Sequence, residues 1–303
     1  MIQLAGKTYV VSLPSVWVKK YGIKKGDELN FEERGSELVI HTERWPKSER
    51  AVLDVGALNE RTLRWVLSGF HKAGYNEMEI LYSKKETLGV IQELLHNLFV
   101  GFTVVEQSGK KCIVRSIAAD VDAEFDVILR RAFLVTLSMG EAVLEKISKG
   151  EFSSLEEVAV LERTNNQMTN FCERILNRKH SSSLDTFKYV IIWNLEKVAD
   201  DYKYICIDLK NSKGNVSREL LCVFSEVNKL FSEYYKLFYQ FDLERLNEIA
   251  ERKMEIENSL KKLQISSAEE SIVFNRLLSI VSKSADFSTS MFVLGYQSLQ
   301  SAI

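Results

Sequence analysis

Proline and glycine are scarce over most of this 303-residue chain. Both prolines, Pro14 and Pro46, lie near the start, and beyond residue 118 the only glycines are Gly140, Gly150, Gly214 and Gly295. Proline breaks helix interiors and glycine weakens them. Their rarity beyond residue 118 therefore permits long helices there.

Cysteine and histidine are also few, and neither residue type is grouped. The four cysteines and four histidines show no short metal-ligand spacing, so a zinc site or a disulfide framework is not expected. The chain also lacks a phosphate-cradling glycine loop and a nucleophile-elbow motif. These absences predict a protein that is not an enzyme.

Long apolar runs are missing as well. No stretch approaches the roughly 18 residues of a membrane span, and the first residues show no basic region followed by an apolar one. We therefore expect a cytoplasmic protein without membrane insertion.

Positive charge is concentrated at the start of the chain. Residues 1–26 contain five lysines and no acidic residue, whereas residues 119–303 carry 23 basic against 28 acidic residues. Lysines that neutralise phosphates are the main source of nonspecific affinity for DNA. The candidate DNA-binding residues are Lys7, Lys19, Lys20, Lys24 and Lys25. The alternative is a dimerisation or docking module with solvated lysines.

The pattern of residues predicts a multi-domain chain. Residues 1–45 alternate in short strands around one helix, Ser15–Tyr21, which ends at Gly22. A two-stranded unit of this size has a poor core alone, so we expect a homodimer. Residues 49–118 alternate between strands and helices, which favours a small mixed sheet.

Residues 119–303 predict helices throughout. Apolar residues recur at spacings of three and four, and breaks fall near Gly150, His180, Gly214, Asp242 and Gln264. Ser153 with Glu156, Ser182 with Asp185 and Ser267 with Glu270 have the spacing of capping boxes. We expect six helices, arranged as two three-helix repeats over 119–214 and 215–303.

Several carboxylates in the helices have the spacing of one helix face. Glu196 and Asp200 lie four residues apart, so two unpaired carboxylates would repel unless a cation lay between them. The candidate metal ligands are Glu162, Asn166, Glu196, Asp200, Glu251, Glu255 and Asp286. The alternative is a solvated acidic face in which Lys197, Arg163 or Arg252 supplies the partner.

The first 27 residues resemble a known DNA-binding family. Thr8–Pro14, followed by Trp17–Asp27, resembles the AbrB/SpoVT swapped-hairpin domain, in the version found at the N-terminus of archaeal PhoU-type proteins. The resemblance implies dimerisation by interlaced strands and basic residues presented to DNA. It covers residues 1–45.

The helical part, about 120–303, resembles PhoU, the phosphate-uptake regulators. Leu195–Asp200 is similar to the acidic motif of that family, and Met139–Ala142 and Leu161–Leu176 fit its first two helices. The resemblance implies that such motifs gather a divalent or ferric ion. Asn166 and Ser282 stand where that family usually has aspartate and glutamate.

The combined resemblance implies a regulator of phosphate uptake that acts through protein contacts. Its expected partners are the ATPase of the phosphate ABC transporter or a signalling protein, with DNA as a further ligand. The alternative is an AbrB-type transcription factor whose helical part senses a metal or ligand. The resemblance implies no function for the middle domain, 49–118.

Overall fold

The computed structural model describes residues 2–4, 8–34, 37–42, 50–117, 124–179 and 184–300. At the N-terminus, β1 (Ile2–Leu4) pairs antiparallel with β2 (Thr8–Val10), and β3 (Leu29–Arg34) pairs antiparallel with β4 (Glu37–Thr42). Helix α1 (Ser15–Tyr21) lies between the two hairpins in sequence. It ends where Gly22 adopts a left-handed conformation with φ 63°, as predicted.

The middle region forms a four-stranded mixed sheet. Its strands are β5 (Arg50–Asp54), β6 (Glu77–Leu81), β7 (Phe102–Gln107) and β8 (Lys111–Ser116), in the order β5-β6-β8-β7. Strands β5 and β6 are parallel and the other two pairings are antiparallel. Because a parallel connection needs a crossover, α2 (Glu60–Lys72) joins β5 to β6. Helix α3 (Glu86–Asn97) then joins β6 to β7, and the predicted mixed sheet is confirmed.

Within residues 124–179 and 184–300, the helical region forms six helical segments separated at the predicted breaks. They are α4 (Phe125–Ser148), α5 and α6 (Leu155–Ala159, Leu161–Lys179), α7 (Asp185–Leu209), α8 (Arg218–Tyr239), α9 (Leu243–Lys262), and α10 and α11 (Ala268–Ala285, Phe287–Gln300). Two segments are interrupted, at Val160 and at Asp286. Their arrangement as two repeats of one three-helix unit stays a prediction.

Of the three capping boxes predicted in the helical region, the one at Ser267 forms and the one at Ser153 does not, while Ser182 lies outside the described residues. The Ser267 hydroxyl accepts a hydrogen bond from the Glu270 amide at 3.1 Å and begins α10. Ser153 instead lies inside a 3-10 turn, and α5 begins two residues later without a side-chain cap. The prediction at Ser153 was wrong because the chain forms a 3-10 turn there, in which the Phe152 side chain is buried.

The two main cores lie in the middle and helical regions. Buried side chains between α2, α3 and the sheet form one cluster, and those of the helical segments form a larger one. Helix α7 contacts α4, α5, α6, α10 and α11, so it lies at the centre of the helical region. Over the residues with described structure, each helix is too short or too polar to cross a bilayer.

Candidate functional site

The exposed lysines of the N-terminal domain lie around the end of α1. Lys19 and Lys20 occupy the last turn of the helix, where positive charge suits the negative end of the helix dipole. Lys24 and Lys25 follow in a turn in which the Lys24 amide donates to Asp27 Oδ2 at 2.8 Å. All four side chains are exposed on one short, basic segment of the chain. Lys7 lies outside the described residues.

In the N-terminal domain, none of the side chains that the structure describes, in residues 10–31 and 38–40, is buried. Helix α1 has no buried residue, and Val11, Val16, Phe31 and Leu38 are exposed in the single chain. Exposed apolar side chains on so small a unit indicate a surface that another molecule covers. This observation favours the predicted dimer.

A chain of alternating charges joins α6 to α7. Lys203 Nζ lies 2.7 Å from Glu162 and 2.6 Å from Asp200. Lys197 Nζ lies 3.2 Å from Asp200 and 2.9 Å from Glu196. We call this set, together with Lys72 and Glu173, the ion-pair ladder.

The ladder ends on the middle domain. Lys72, the last residue of α2, places its ammonium group 3.0 Å from Glu196 and 2.8 Å from Glu173. Its Nζ also lies 5.3 Å from the ring centroid of Trp193, within cation–π range. Glu173 is fully buried, so Lys72 neutralises a charge that water cannot reach.

Burial and lysine contacts act in opposite directions on these carboxylates. Burial raises the pKa of Glu173, and the nearby Lys72 only partly offsets this. Burial also raises the pKa of Glu162 despite its contact with Lys203. For Asp200, burial opposes ionisation, but Lys203 and Lys197 together outweigh it and lower the pKa. A proton entering this cluster would therefore bind Glu162 before Asp200.

Two further side chains of α6 hold the end of α2. Arg174 donates to the carbonyl oxygens of His71 at 3.0 Å and Tyr75 at 2.7 Å, and Asn177 donates to that of Lys72 at 2.8 Å. The last carbonyls of a helix have no partner within it, so the helical region supplies them here. These hydrogen bonds, with the ion pairs of Lys72, link the middle domain to the helical region.

His71 is buried against this contact. Its ring stacks on Phe99 with centroids 4.5 Å apart, and neither ring nitrogen has a hydrogen-bond partner. Burial, with Arg174 and Lys72 nearby, holds its pKa well below the ordinary value. His71 is therefore a neutral core residue at physiological pH.

The predicted metal ligands separate into two groups. Glu162, Glu196 and Asp200 lie on the ladder, and Asn166 donates to Glu162 at 2.6 Å. Lysine ammonium groups lie between these carboxylates. Lys197 pairs with Glu196 and Asp200, as expected if the carboxylates are ion-paired with lysine and do not bind a metal. Within the described parts of the chain, no group of three or more His, Cys, Asp or Glu side chains could hold a metal ion. Because lysines lie between these carboxylates, metal binding there stays a prediction, which metal analysis of the purified protein would test.

The remaining candidates lie elsewhere. Glu251 and Glu255 are exposed on α9 and line a surface pocket with Arg245 and Arg252. Asp286 is exposed at the break between α10 and α11. The structure brings neither of these sites into the ladder.

Sequence reasoning missed the ladder residues Lys72, Lys203 and Glu173. Lys203 lies three residues after Asp200, a spacing typical of helical ion pairs, and this signal was available. Lys72 lies 124 residues before Glu196, so no local pattern connects them.

One comparison with known proteins found a match. The family model described as "Antidote-toxin recognition MazE, bacterial antitoxin" matches residues 2–47. No curated protein and no solved structure matches the chain significantly. The N-terminal region is therefore similar to a MazE/AbrB-like domain, which suggests a regulatory role.

Proposed function

We propose that this chain is a non-enzymatic regulator whose N-terminal domain dimerises and binds DNA and whose helical region binds a protein of phosphate uptake. The observation that carries the first part is the match of residues 2–47 to a MazE/AbrB-like domain, together with the exposed lysines around α1. Domains of this kind commonly dimerise and bind DNA.

The charge distribution supports DNA binding at the N-terminus. Lys19, Lys20, Lys24 and Lys25 are exposed on one short segment, and a dimer would present two such segments. Binding through lysines alone is strongly salt-dependent because each phosphate contact releases counterions. We therefore expect modest affinity that falls steeply as salt increases.

The test is fluorescence anisotropy with labelled DNA across a salt series. Lys19→Ala with Lys24→Ala removes four lysines from a dimer, so the slope of log K against log salt should fall by roughly 3–4. Lys229→Ala with Lys236→Ala, at exposed positions on α8, is the matched control and should leave the slope unchanged. An unchanged slope in the first variant would exclude this surface as the DNA contact.

The proposal for phosphate uptake rests on the resemblance of the helical region to PhoU. Six helical segments separated at the predicted breaks, and the acidic motif Leu195–Asp200 on the central helix α7, support it. The ATPase of the phosphate ABC transporter, or a signalling protein, is the proposed partner.

The test is affinity purification of the full chain from phosphate-replete and phosphate-starved cells. We expect a transporter or signalling component to co-purify, in an amount that depends on phosphate. The tagged carrier protein alone is the control. Recovery of DNA without such a protein under both conditions would contradict the phosphate role.

A second candidate is a transcription factor whose helical region senses a ligand. The exposed lysines and the match of residues 2–47 favour it equally. Sequence-selective DNA binding at physiological salt, with no co-purifying transporter component, would favour this candidate.

A further inference from the structure

Helix α7 has one exposed face although it is the central helix of its region. Val190, Trp193, Tyr204 and Ile207 are between 37% and 46% exposed. Single exposed apolar side chains are ordinary, but four large ones along one helix mark a surface for interaction. They extend over roughly 26 Å of helix.

The spacing of this face is that of a coiled-coil seam. Positions 190, 193, 197, 200, 204 and 207 alternate steps of three and four, which keeps them on one side of a helix. Lys197 and Asp200 occupy the two central positions. We call these six residues the α7 seam.

The α7 seam is complementary to itself when reversed. If a second α7 packs antiparallel about an axis between residues 198 and 199, Val190 faces Ile207, Trp193 faces Tyr204 and Lys197 faces Asp200. Apolar then meets apolar at both ends, and opposite charges meet at the centre. A twofold contact requires this property, because residue i must suit residue j in both directions.

Charge favours the antiparallel arrangement over a parallel one in register. A parallel pair in register would place Lys197 against Lys197 and Asp200 against Asp200, and like charges at such positions are unfavourable. The surroundings do little to oppose the antiparallel pair, because each ladder carboxylate contacts at least one of Lys72, Lys197 and Lys203. Two copies of this face can therefore approach without strong repulsion.

We propose that the α7 seam binds the α7 seam of a second copy of this chain, antiparallel and about a twofold axis. This contact is separate from the N-terminal dimer and does not depend on DNA or phosphate. Its four apolar side chains make a small interface, so it adds to an existing association more than it creates one.

Cysteine cross-linking tests the register. In a Cys222→Ser background, which removes the exposed native thiol, the double variant Val190→Cys with Ile207→Cys should form covalent dimers under mild oxidation. Each single variant should not, because two copies of residue 190 would lie roughly 25 Å apart. Within one chain, the two new cysteines are also too far apart to react. Equal cross-linking in the single and double variants, or none in the double variant, would overturn the proposal.

A second pair of cysteines tests the same register in case the first double variant does not fold. Trp193→Cys with Tyr204→Cys should cross-link in the same way, with each single variant as its control. In the first double variant, adding Asp200→Lys should lower the cross-linking rate roughly fivefold, because lysine would face Lys197. Adding Lys197→Asp as well should restore it. Failure of both cysteine pairs in folded protein, or no rescue by the charge exchange, would contradict the proposed self-association.

Discussion

Replacing Lys72 by methionine tests whether the ion-pair ladder holds the middle domain to the helical region. Methionine keeps much of the packing volume but leaves the fully buried Glu173 without its 2.8 Å cation. Breaking a buried pair by removing one partner costs about 3–5 kcal/mol. We expect the lower end, about 3 kcal/mol, because the Lys72 side chain retains 19% exposure and Glu196 keeps its contact with Lys197.

The assay is thermal unfolding followed by circular dichroism. For a region of 150–250 residues, a loss of about 3 kcal/mol lowers Tm by roughly 6–12 °C. The matched control is Lys149→Met, which breaks the solvent-exposed pair with Glu145 and should leave Tm nearly unchanged. A double variant with Glu173→Gln should recover most of the loss, since the buried charge is then removed as well.

The pH dependence gives an independent check. The pKa of Glu173 is raised in the folded protein, so the native state binds more protons there and its stability falls as pH rises. Without Lys72 this pKa rises further, and the deficit of Lys72→Met should shrink between pH 7.5 and pH 5. A Tm within about 2 °C of the wild type at pH 7.5, or a deficit equal to that of Lys149→Met, would refute the reasoning.

Three further predictions use the same unfolding assay. His71→Leu should raise Tm relative to the wild type below pH 6.5. The pKa of His71 is depressed in the folded protein, so as the pH falls the unfolded wild type gains a proton at His71 and stability is lost. Equal pH profiles of the two proteins would contradict this. Gly140→Ala should cost about 1–3 kcal/mol, since a Cβ there would lie 2.7 Å from the Tyr202 ring. The control Gly69→Ala, in open space on α2, should be neutral or stabilising by up to about 1 kcal/mol, and equal losses at both sites would exclude the steric cause. Amide and hydroxyl donors lower the pKa of Glu270 to about 2, so the wild type should lose stability as the pH falls below about 4.5. Glu270→Ala should reduce this loss, and an unchanged loss would show that other groups cause it.

Much of the fold was predictable because it depends on local patterns. The alternation of strands and helices predicted over 49–118 is present in the middle domain, and the helical segments within 124–179 and 184–300 separate at the predicted breaks. The interruptions at Val160 and Asp286 were not predicted, since neither residue carries a helix-breaking signal. The start of α5 was also not predicted. The sequence offers a cap at Ser153, but residues 152–154 form a 3-10 turn in which Phe152 is buried in the core.

Less of the candidate site was predictable. The clustering of lysines near α1 follows from composition, and their exposure agrees with it. The spacing of Glu196 and Asp200 correctly placed two carboxylates on one face, but it left open whether a metal or a lysine lies between them. That choice depends on Lys203 and on Lys72, which another domain contributes.

The amino-acid sequence alone determined the periodic elements, the basic start of the chain and the self-complementary order of residues along α7. These follow from neighbours in the chain, and backbone geometry converts their spacing directly into a face of a helix or strand. Only the tertiary structure decided which charges meet and which face of α7 stays exposed. The free energy of a buried ion pair depends on burial and on partners from distant segments, and both arise when the domains pack together.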